Sequence, residues 1–395
     1  MAIVIFGDLF TFPDGNAATN RVFTYARGFV EQGINPYIVC FGNEYIEELE
    51  GLINGVRFYH PLGQKKRNKY FVIRRWHKLK KFFSAFLILK EINKKDKITG
   101  IICYTQLLQT QSYAFILSRM FKTKMVLEVS EHPLREYQRF LLKRIQGKVR
   151  VRFETRLSDG IICISQYLID FYLKTGVPVK RLFLVPSTVD TERFQISERS
   201  MLNFEYILYC GHLNIRKDGV DILIKSFAQV SDKFPEIKLV LIGTGSPDEE
   251  TLLKKLVSIL NFEDRVYFLG QITRTEVPNY LKNAKVLALS RPPSIVADAG
   301  FPSKLTEYLA AGKPVIVTKV GEIPNYLTDG KNAFLAQAGS IEGFSDKLHF
   351  VLNNYELAKK VALRGKELTS TIFNYNFQAH RIIGFLNSLS YYRAS

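Results

Sequence analysis

Long apolar runs are missing from this chain. No stretch approaches the roughly 18–20 residues that a bilayer-spanning helix needs, so no transmembrane segment is expected. The opening MAIVIFGD reads as a strand and lacks the basic segment, apolar core and small-residue cleavage site of a secretory signal. Cysteine is scarce. The four present, Cys40, Cys103, Cys163 and Cys210, each lie in or beside an apolar run without metal-ligand spacing. They read as buried reduced thiols of a cytosolic protein, which excludes a disulfide framework and a zinc site. No DxD or other acidic cluster occurs, so no bound metal is implied, and no cofactor either. A Ser/His/Asp triad spacing is absent, GxGxxG is absent, and His60, His77, His349 and His380 look incidental. Acidic residues are few: 37 against 55 Lys and Arg, a net charge of +18, which points to a polyanionic partner.

Much of that charge is local. Gln64 to Lys97 holds thirteen Lys and Arg against two acids, with Trp76, Leu79, Phe83, Phe86 and Leu87 at helical spacing. A basic helix with an aromatic-apolar face suits an anionic membrane surface, so residues 65–97 are the expected membrane contact. The alternative is a solvated basic face whose aromatics pack in the core. A second basic run, Arg135 to Arg156, has eight Lys and Arg against two acids. Nucleic acid is the competing polyanion, but no zinc-finger, RRM or KH signature supports it, and no nucleic-acid partner is expected.

The 395 residues, 47% of them hydrophobic, suffice for two domains with separate cores. Short apolar strands alternate with helical patterns throughout: Ile3–Phe6, helix Arg21–Glu31, Tyr37–Phe41, Ile101–Tyr104, Met125–Val129, Gly160–Ser165 and Phe183–Val185. Pro186–Ser200 loses apolar periodicity and reads as a linker. The alternation then resumes: Tyr206–Cys210, helix Asp221–Phe234, Lys238–Ile242, helix Glu249–Leu260, Val266–Leu269, helix Glu276–Lys282, Val286–Leu289 and Val315–Val317. The fold class is α/β, with two Rossmann-like domains, 1–187 and 201–373, facing each other across a cleft. The remainder, 374–395, is expected to include a helix that crosses back toward the first domain.

The candidate chemistry sits in loops that follow strands. In Asp298–Pro314 a loop runs into a short helix. Pro302 suits a first helical position, Gly312 a C-cap, and Pro314 a stop. A helix opening at Ser303, beside Lys304, suits a phosphate. Glu307, four residues on and about 6 Å along the axis, could accept the two hydroxyls of a ribose. An ordinary capped helix fits the spacing as well. Gly243-Thr244-Gly245 follows a strand, where a glycine lets backbone approach a ligand. Gly211-His212-Leu213-Asn214-Ile215-Arg216-Lys217-Asp218-Gly219 follows another and sets two cations beside a glycine, which suits a diphosphate. His132 closes a strand of the first half, and Pro13-Asp14-Gly15-Asn16 is a strong turn.

Taken together, these segments resemble the retaining family-4 glycosyltransferases (glycosyl transferases group 1). The matches run in order: VPSTVDTERF at 185–194, the Gly211–Gly219 run, LVLIGTG at 239–245, VYFLGQI at 266–272 and GFPSKLTEYLAAGKPVI at 300–316. The likeness is strong over about 155–340, weaker before that, and implies a GT-B fold. It further implies a cytosolic enzyme, peripheral on the inner face of a membrane. That enzyme would move a sugar, with retention, from a nucleotide diphosphate sugar to a lipid-linked or glycan acceptor in surface polysaccharide synthesis. The GFPSK form favours UDP. The resemblance gives Glu307 the donor ribose, Lys217 the phosphate and His132 the donor sugar, these three being the catalytic set. Gly211, His212, Arg216, Gly243, Gly245, Asp298, Gly300, Phe301, Pro302, Ser303 and Lys304 complete the donor site. Gly15 and Asn16 form the acceptor-side loop. Two departures stand out. Ala299 replaces the first glutamate of the two-glutamate motif, with Asp298 adjacent. His212 replaces an arginine, whose charge Arg216 could supply. A GT-B epimerase and a catalytically silent subunit are the alternatives.

Overall fold

The computed structural model describes residues 1–133, 141–195 and 200–390. The chain divides into two compact units, Met1–Pro186 with the tail from Tyr375 onward, and Ser187–Asn374. Residues 134–140 of the second basic run and 196–199 of the polar linker segment lie outside the described residues.

The first unit holds β1 (Ala2–Gly7), β2 (Asn35–Cys40), β3 (Glu50–Ile53), β4 (Val56–Tyr59), β5 (Ile98–Tyr104), β6 (Lys124–Val129), β7 (Gly160–Cys163) and β8 (Leu182–Leu184). Their order is β3-β4-β2-β1-β5-β6-β7-β8, parallel except for the β3–β4 hairpin. Every residue of β1 is buried because both faces are covered. Ile3 and Ile5 point into a core shared with the helices Ala17–Glu31 and Tyr375–Ser388. Ala2, Val4 and Phe6 point the other way, against the helices Phe71–Lys95 and Leu108–Met120. This period of two is what places one helical layer on each face. The hairpin β3–β4 turns on Asn54 (φ 49°) and Gly55 (φ 79°), both in the left-handed region that a tight two-residue turn requires.

Helix Phe71–Lys95 is apolar on two sides. Lys81, Ala85, Leu89 and Ile92 face the sheet and are buried. Val72, Trp76, Leu79, Phe83 and Leu87 repeat at the same helical spacing on the opposite side and are exposed, Trp76 by 64% and Phe83 by 61%. Of the aromatic residues singled out from the sequence, only Phe86 is partly buried against the core.

The second unit holds β9 (Tyr206–Cys210), β10 (Lys238–Ile242), β11 (Val266–Gly270), β12 (Val286–Leu289), β13 (Val315–Thr318) and β14 (Phe334–Ala336). The order β11-β10-β9-β12-β13-β14 is parallel throughout. Three of these strands have the expected bounds, and three-residue β14 had no counterpart in the sequence reading. Helix Pro247–Ile259 begins two residues early because Ser246 caps it, and helix Val220–Val230 gives way to a 3-10 turn at Ser231–Lys233.

In both units the strand order reverses once. β1 has β2 on one side and β5 on the other, and β9 has β10 on one side and β12 on the other. Loops leaving the carboxyl ends of such strands diverge and leave a crevice where ligands of open α/β sheets bind.

Candidate functional site

The loops leaving β9, β10 and β12 carry most of the residues expected to hold a donor. Gly211–Asn214 follows β9, Gly243–Ser246 follows β10, and Ser290–Ser294 follows β12. The first two loops are pressed together. A Cβ on Gly243 would sit 2.0 Å from the Gly211 carbonyl oxygen, and one on Gly245 would sit 2.6 Å from that of Leu213. Gly243 also has φ 122°, so its glycine is demanded both by conformation and by loop–loop contact. The Leu213 N–H donates to Thr244 O at 3.0 Å, and the exposed His212 ring bonds the same carbonyl.

After this loop comes the four-residue helix Ile215–Asp218, capped by Asn214, whose Oδ1 accepts from the Lys217 N–H at 2.6 Å. Arg216 is exposed, Lys217 is half-buried and Asp218 is buried. Asp218 organises the cluster. Its Oδ2 accepts from Lys304 Nζ at 2.7 Å and Tyr209 Oη at 3.1 Å, and its Oδ1 lies 3.5 Å from Arg291 Nε. Burial alone would raise the Asp218 carboxyl, but Lys304 and Arg291 outweigh it and hold it below the ordinary carboxylate range.

The second wall is helix Ser303–Ala311. Pro302 stands just before it, one residue short of the expected first helical position and without a side-chain capping bond, Gly312 (φ 68°) ends it, and Tyr308 ties it to the end of β9 by accepting the Cys210 N–H at 2.7 Å. Ser303 is half-buried at its first turn. Glu307, one turn further, receives Arg193 Nη1 at 2.7 Å. The cluster therefore gathers Arg193, Arg216, Lys217, Arg291 and Lys304 around Asp218 and Glu307, while Glu249 and Glu250 accept from the Ile215 N–H at 3.2 Å and the Gly245 N–H at 2.8 Å beside it. Such a surplus favours a polyanion.

Two expectations change here. Lys304 does not extend toward a ligand: its ammonium is committed to Asp218 and to Tyr209 Oη at 2.8 Å. A Cβ on Gly211 would meet Lys304 Nζ at 2.4 Å, so a side chain there would displace the Lys304 ammonium. The Phe301 ring lies in the core with Tyr326 and Phe373, centroids 5.5 Å away in each case, so only its backbone can line the site. Ala299 is 0% exposed on helix Ile295–Ala299, so its side chain points inward where a glutamate would bury a charge. Asp298 is half-buried on the same helix, about 100° away around its axis. Gly300 ends that helix with its N–H bonded to Val296 O at 3.2 Å. Arg193 and Arg291 were missed from the sequence. Arg193 sat within the quoted VDTERF segment, but nothing in the spacing said that its partner would be Glu307.

In the first unit, His132 follows β6 and is buried against Phe171 and Tyr167, ring centroids 5.1 and 5.8 Å away. Burial lowers its pKa and keeps the imidazole neutral at pH 7. Asn16 caps helix Ala17–Glu31, accepting from the N–H groups of Ala18 and Thr19 at 2.9 and 3.3 Å. Gly15 beside it is exposed, and a Cβ there would meet Thr19 Oγ1 at 2.2 Å. Among the described residues, no group of three His, Cys, Asp or Glu could hold a metal ion, and no helix is long and apolar enough to cross a membrane.

Two family models tile the chain. One described as Glycosyltransferase Family 4 matches residues 18–193, and one described as Glycosyl transferases group 1 matches residues 190–368. The N-acetyl-alpha-D-glucosaminyl L-malate synthase of Bacillus anthracis is 29% identical over 225 residues, 55% of this chain and 56% of that protein. A GDP-mannose-dependent alpha-(1-6)-phosphatidylinositol monomannoside mannosyltransferase of Mycobacterium tuberculosis is 24% identical over 247 residues, 58% of this chain and 63% of that protein. The chain thus aligns with less than two thirds of the length of these curated relatives. Among solved structures, the sucrose-phosphate synthase of Thermosynechococcus elongatus superposes with a TM-score of 0.74 at 16% identity, over 98% of both chains. Anabaena HepE in complex with UDP gives 0.70 at 16% identity, over 98% of this chain and 100% of that one. At such identities the likeness is one of fold.

Proposed function

The chain belongs to the family-4, group-1 glycosyltransferases and has their GT-B fold, and from that premise we propose that it transfers a sugar from a nucleoside diphosphate donor held by residues 187–374. The observation that carries this reading is the cationic cluster at the strand reversal beside β9, one helical turn from the Glu307 carboxylate. Arg216 and Lys217 take the diphosphate, joined by the N-terminal turn of the helix that begins at Ser303. Lys304 acts one step back: it neutralises Asp218, so that the buried carboxylate does not repel the phosphates. Glu307 takes the ribose hydroxyls.

In the reaction, the bond from the anomeric carbon to the diphosphate oxygen breaks and the electron pair leaves with the diphosphate. The acceptor hydroxyl forms the new bond on the same face, and its proton passes to the departing phosphate oxygen. Positive charge fixed beside that oxygen stabilises the transition state more than the ground state. A neutral His132 suits hydrogen bonding to the donor sugar. UDP is the favoured donor base, supported by the GFPSK motif and by the fold shared with a UDP-bound protein; a GDP-mannose-dependent relative keeps GDP in the test.

The acceptor is lipid-linked, and surface polysaccharide synthesis is the setting this reading favours. Its support is one helical layer of the first unit. Beside the outward ridge of helix Phe71–Lys95, helix Leu108–Met120 exposes Ile116 and Met120, and helix Leu141–Leu157 exposes Ile145, Val149 and Phe153. These helices are neighbours: Phe86 and Phe121 stack 6.0 Å apart, and Gln111 Nε2 donates to Glu154 O at 2.9 Å. Exposed Arg75, Lys78, Lys80, Lys90, Lys148 and Arg152 lie among the apolar residues. Apolar side chains ringed by cations fit an anionic bilayer surface.

The direct test is product analysis with UDP- and GDP-sugars and anionic vesicles carrying lipid extract. Label that moves from the sugar nucleotide into the lipid phase, with its anomeric configuration kept, supports the proposal. Isomerised sugar nucleotide formed without acceptor would identify an epimerase. Binding with neither transfer nor hydrolysis would identify a silent subunit.

A further inference from the structure

We propose that Arg193 is a positioning residue for ribose recognition, fixing the Glu307 carboxylate in the orientation that reads the 2′-hydroxyl of the donor. This inference rests on the donor-site reading above. Arg193 lies on the 3-10 turn Thr191–Phe194, which is held from both sides. Asp190 caps it, accepting from the Glu192 N–H at 3.2 Å, and the buried Phe194 anchors its end. Just before it, the N–H of the buried Val189 donates to Phe373 O at 3.1 Å. A long, flexible side chain is thus launched from a fixed point.

The guanidinium is fixed as well. Nη1 reaches Glu307 Oε1 at 2.7 Å and Nη2 donates to Arg274 O at 2.8 Å. Two bonds from different nitrogens to different elements define the plane of the fork, and the fork defines the rotation of the carboxylate. The pair is neither buried nor free, with 17% and 19% of the side chains exposed. It is reachable by a ligand, yet shielded enough for the ionic hydrogen bond to hold its geometry. Among the described residues, Glu307 Oε2 has no hydrogen-bond partner, so a carboxylate with about four acceptor sites has spent only part of its capacity. The remaining oxygen is held ready to accept from a hydroxyl. Without Arg193 the glutamate would sample several rotamers, and the ordering would then be charged to binding.

A purely structural Arg193 would affect every ligand alike, whereas a positioning role acts on one hydroxyl. The experiment therefore compares UDP with 2′-deoxy-UDP, and GDP with 2′-deoxy-GDP, by calorimetric titration of wild type, Arg193→Met, Arg193→Lys and Glu307→Ala. Wild type should prefer the ribonucleotide by about tenfold, the worth of one charge-assisted hydrogen bond. Arg193→Met should lose that preference through weaker ribonucleotide binding, with the deoxynucleotide affinity kept. Arg193→Lys should restore part of it, because an ammonium keeps the charge and loses the fork. Glu307→Ala should show no preference. A ribose preference unchanged in Arg193→Met overturns the inference alone. So does a rise in ribonucleotide affinity, which would make Arg193 a plug on the site. If Arg193→Met does not fold, an Arg193→Lys protein that keeps the full preference also overturns it. A wild type that binds neither nucleotide overturns the donor-site reading, and this inference with it.

Discussion

The strand order reverses at β1 in the first unit and at β9 in the second, and the two crevices are furnished in opposite ways. Beside β1 the loop residue Asp8 turns back to the β5 side, accepting from Thr105 Oγ1 at 2.7 Å and Thr110 Oγ1 at 2.6 Å. A buried cation of that unit, Arg21, is spent entirely inside. Its Nε reaches Glu128 at 2.7 Å, and its two terminal nitrogens donate to Pro186 O and Val185 O at 2.9 and 2.8 Å. Beside β9 the carboxylate Asp218 is also buried and paired, yet Lys217 and Arg216 stand next to it, half-buried and exposed. The first pair is enclosed in the core, whereas the second lies beside an exposed arginine, where its charge is within reach of solvent and of an anion.

The contrast breaks most visibly at Arg21. Arg21→Ala strands Glu128 in the core and should cost about 3–5 kcal/mol of stability in denaturant titration. Arg216→Ala should leave stability within about 0.5 kcal/mol while weakening nucleotide binding, which calorimetry reads. Equal destabilisation by both would erase the distinction between closed and open clusters. Removing membrane contact comes next in size. Trp76 is the sole tryptophan, so its fluorescence reports its surroundings without a label. Anionic vesicles should shift its emission to the blue, brominated acyl chains should quench it, and Leu79→Ser with Phe83→Ser should weaken vesicle binding about tenfold or more. High salt should loosen the complex.

Acid sharpens the comparison further. The folded Asp218 carboxyl titrates below its unfolded value, so its stabilisation is complete above the ordinary pKa of about 3.9 and fades as pH falls through the folded value. Asp218→Asn should be less stable than wild type at pH 6, and the gap should narrow toward pH 3. A gap independent of pH would mean that the carboxylate's charge contributes nothing. The smallest expected change in nucleotide affinity is at His132. His132→Ala should lower turnover far more than donor binding, and equal losses would assign the ring to packing against Phe171.

The second unit was the more legible in sequence, because its strands are short, continuous apolar runs bounded by glycine or polar turns. Tyr206–Cys210 and Lys238–Ile242 have their expected bounds. In the first unit the β3–β4 hairpin went unread although Asn54-Gly55 between two apolar-alternating stretches is its signal. Helix Ala17–Glu31 starts a turn before the expected Arg21, since Asn16 caps it. The site was legible as a set of loops and not as a set of contacts. Glycines, cations and Glu307 could be placed along the chain. That Lys304 would turn to Asp218, that Phe301 would enter an aromatic cluster, and that Arg193 would bridge 114 positions to Glu307 depends on tertiary packing that no local spacing encodes.

The measurement that bears most directly on the donor site is a thermal-shift titration of wild type and Glu307→Ala with UDP and GDP. A ligand that binds only the folded state stabilises it by about 2.7 kcal/mol at a hundred times its dissociation constant. One nucleotide should raise the melting temperature of wild type in proportion to the logarithm of its concentration, and leave Glu307→Ala nearly unmoved. Equal shifts in both proteins, or none in either at millimolar nucleotide, would contradict a donor site built on Glu307.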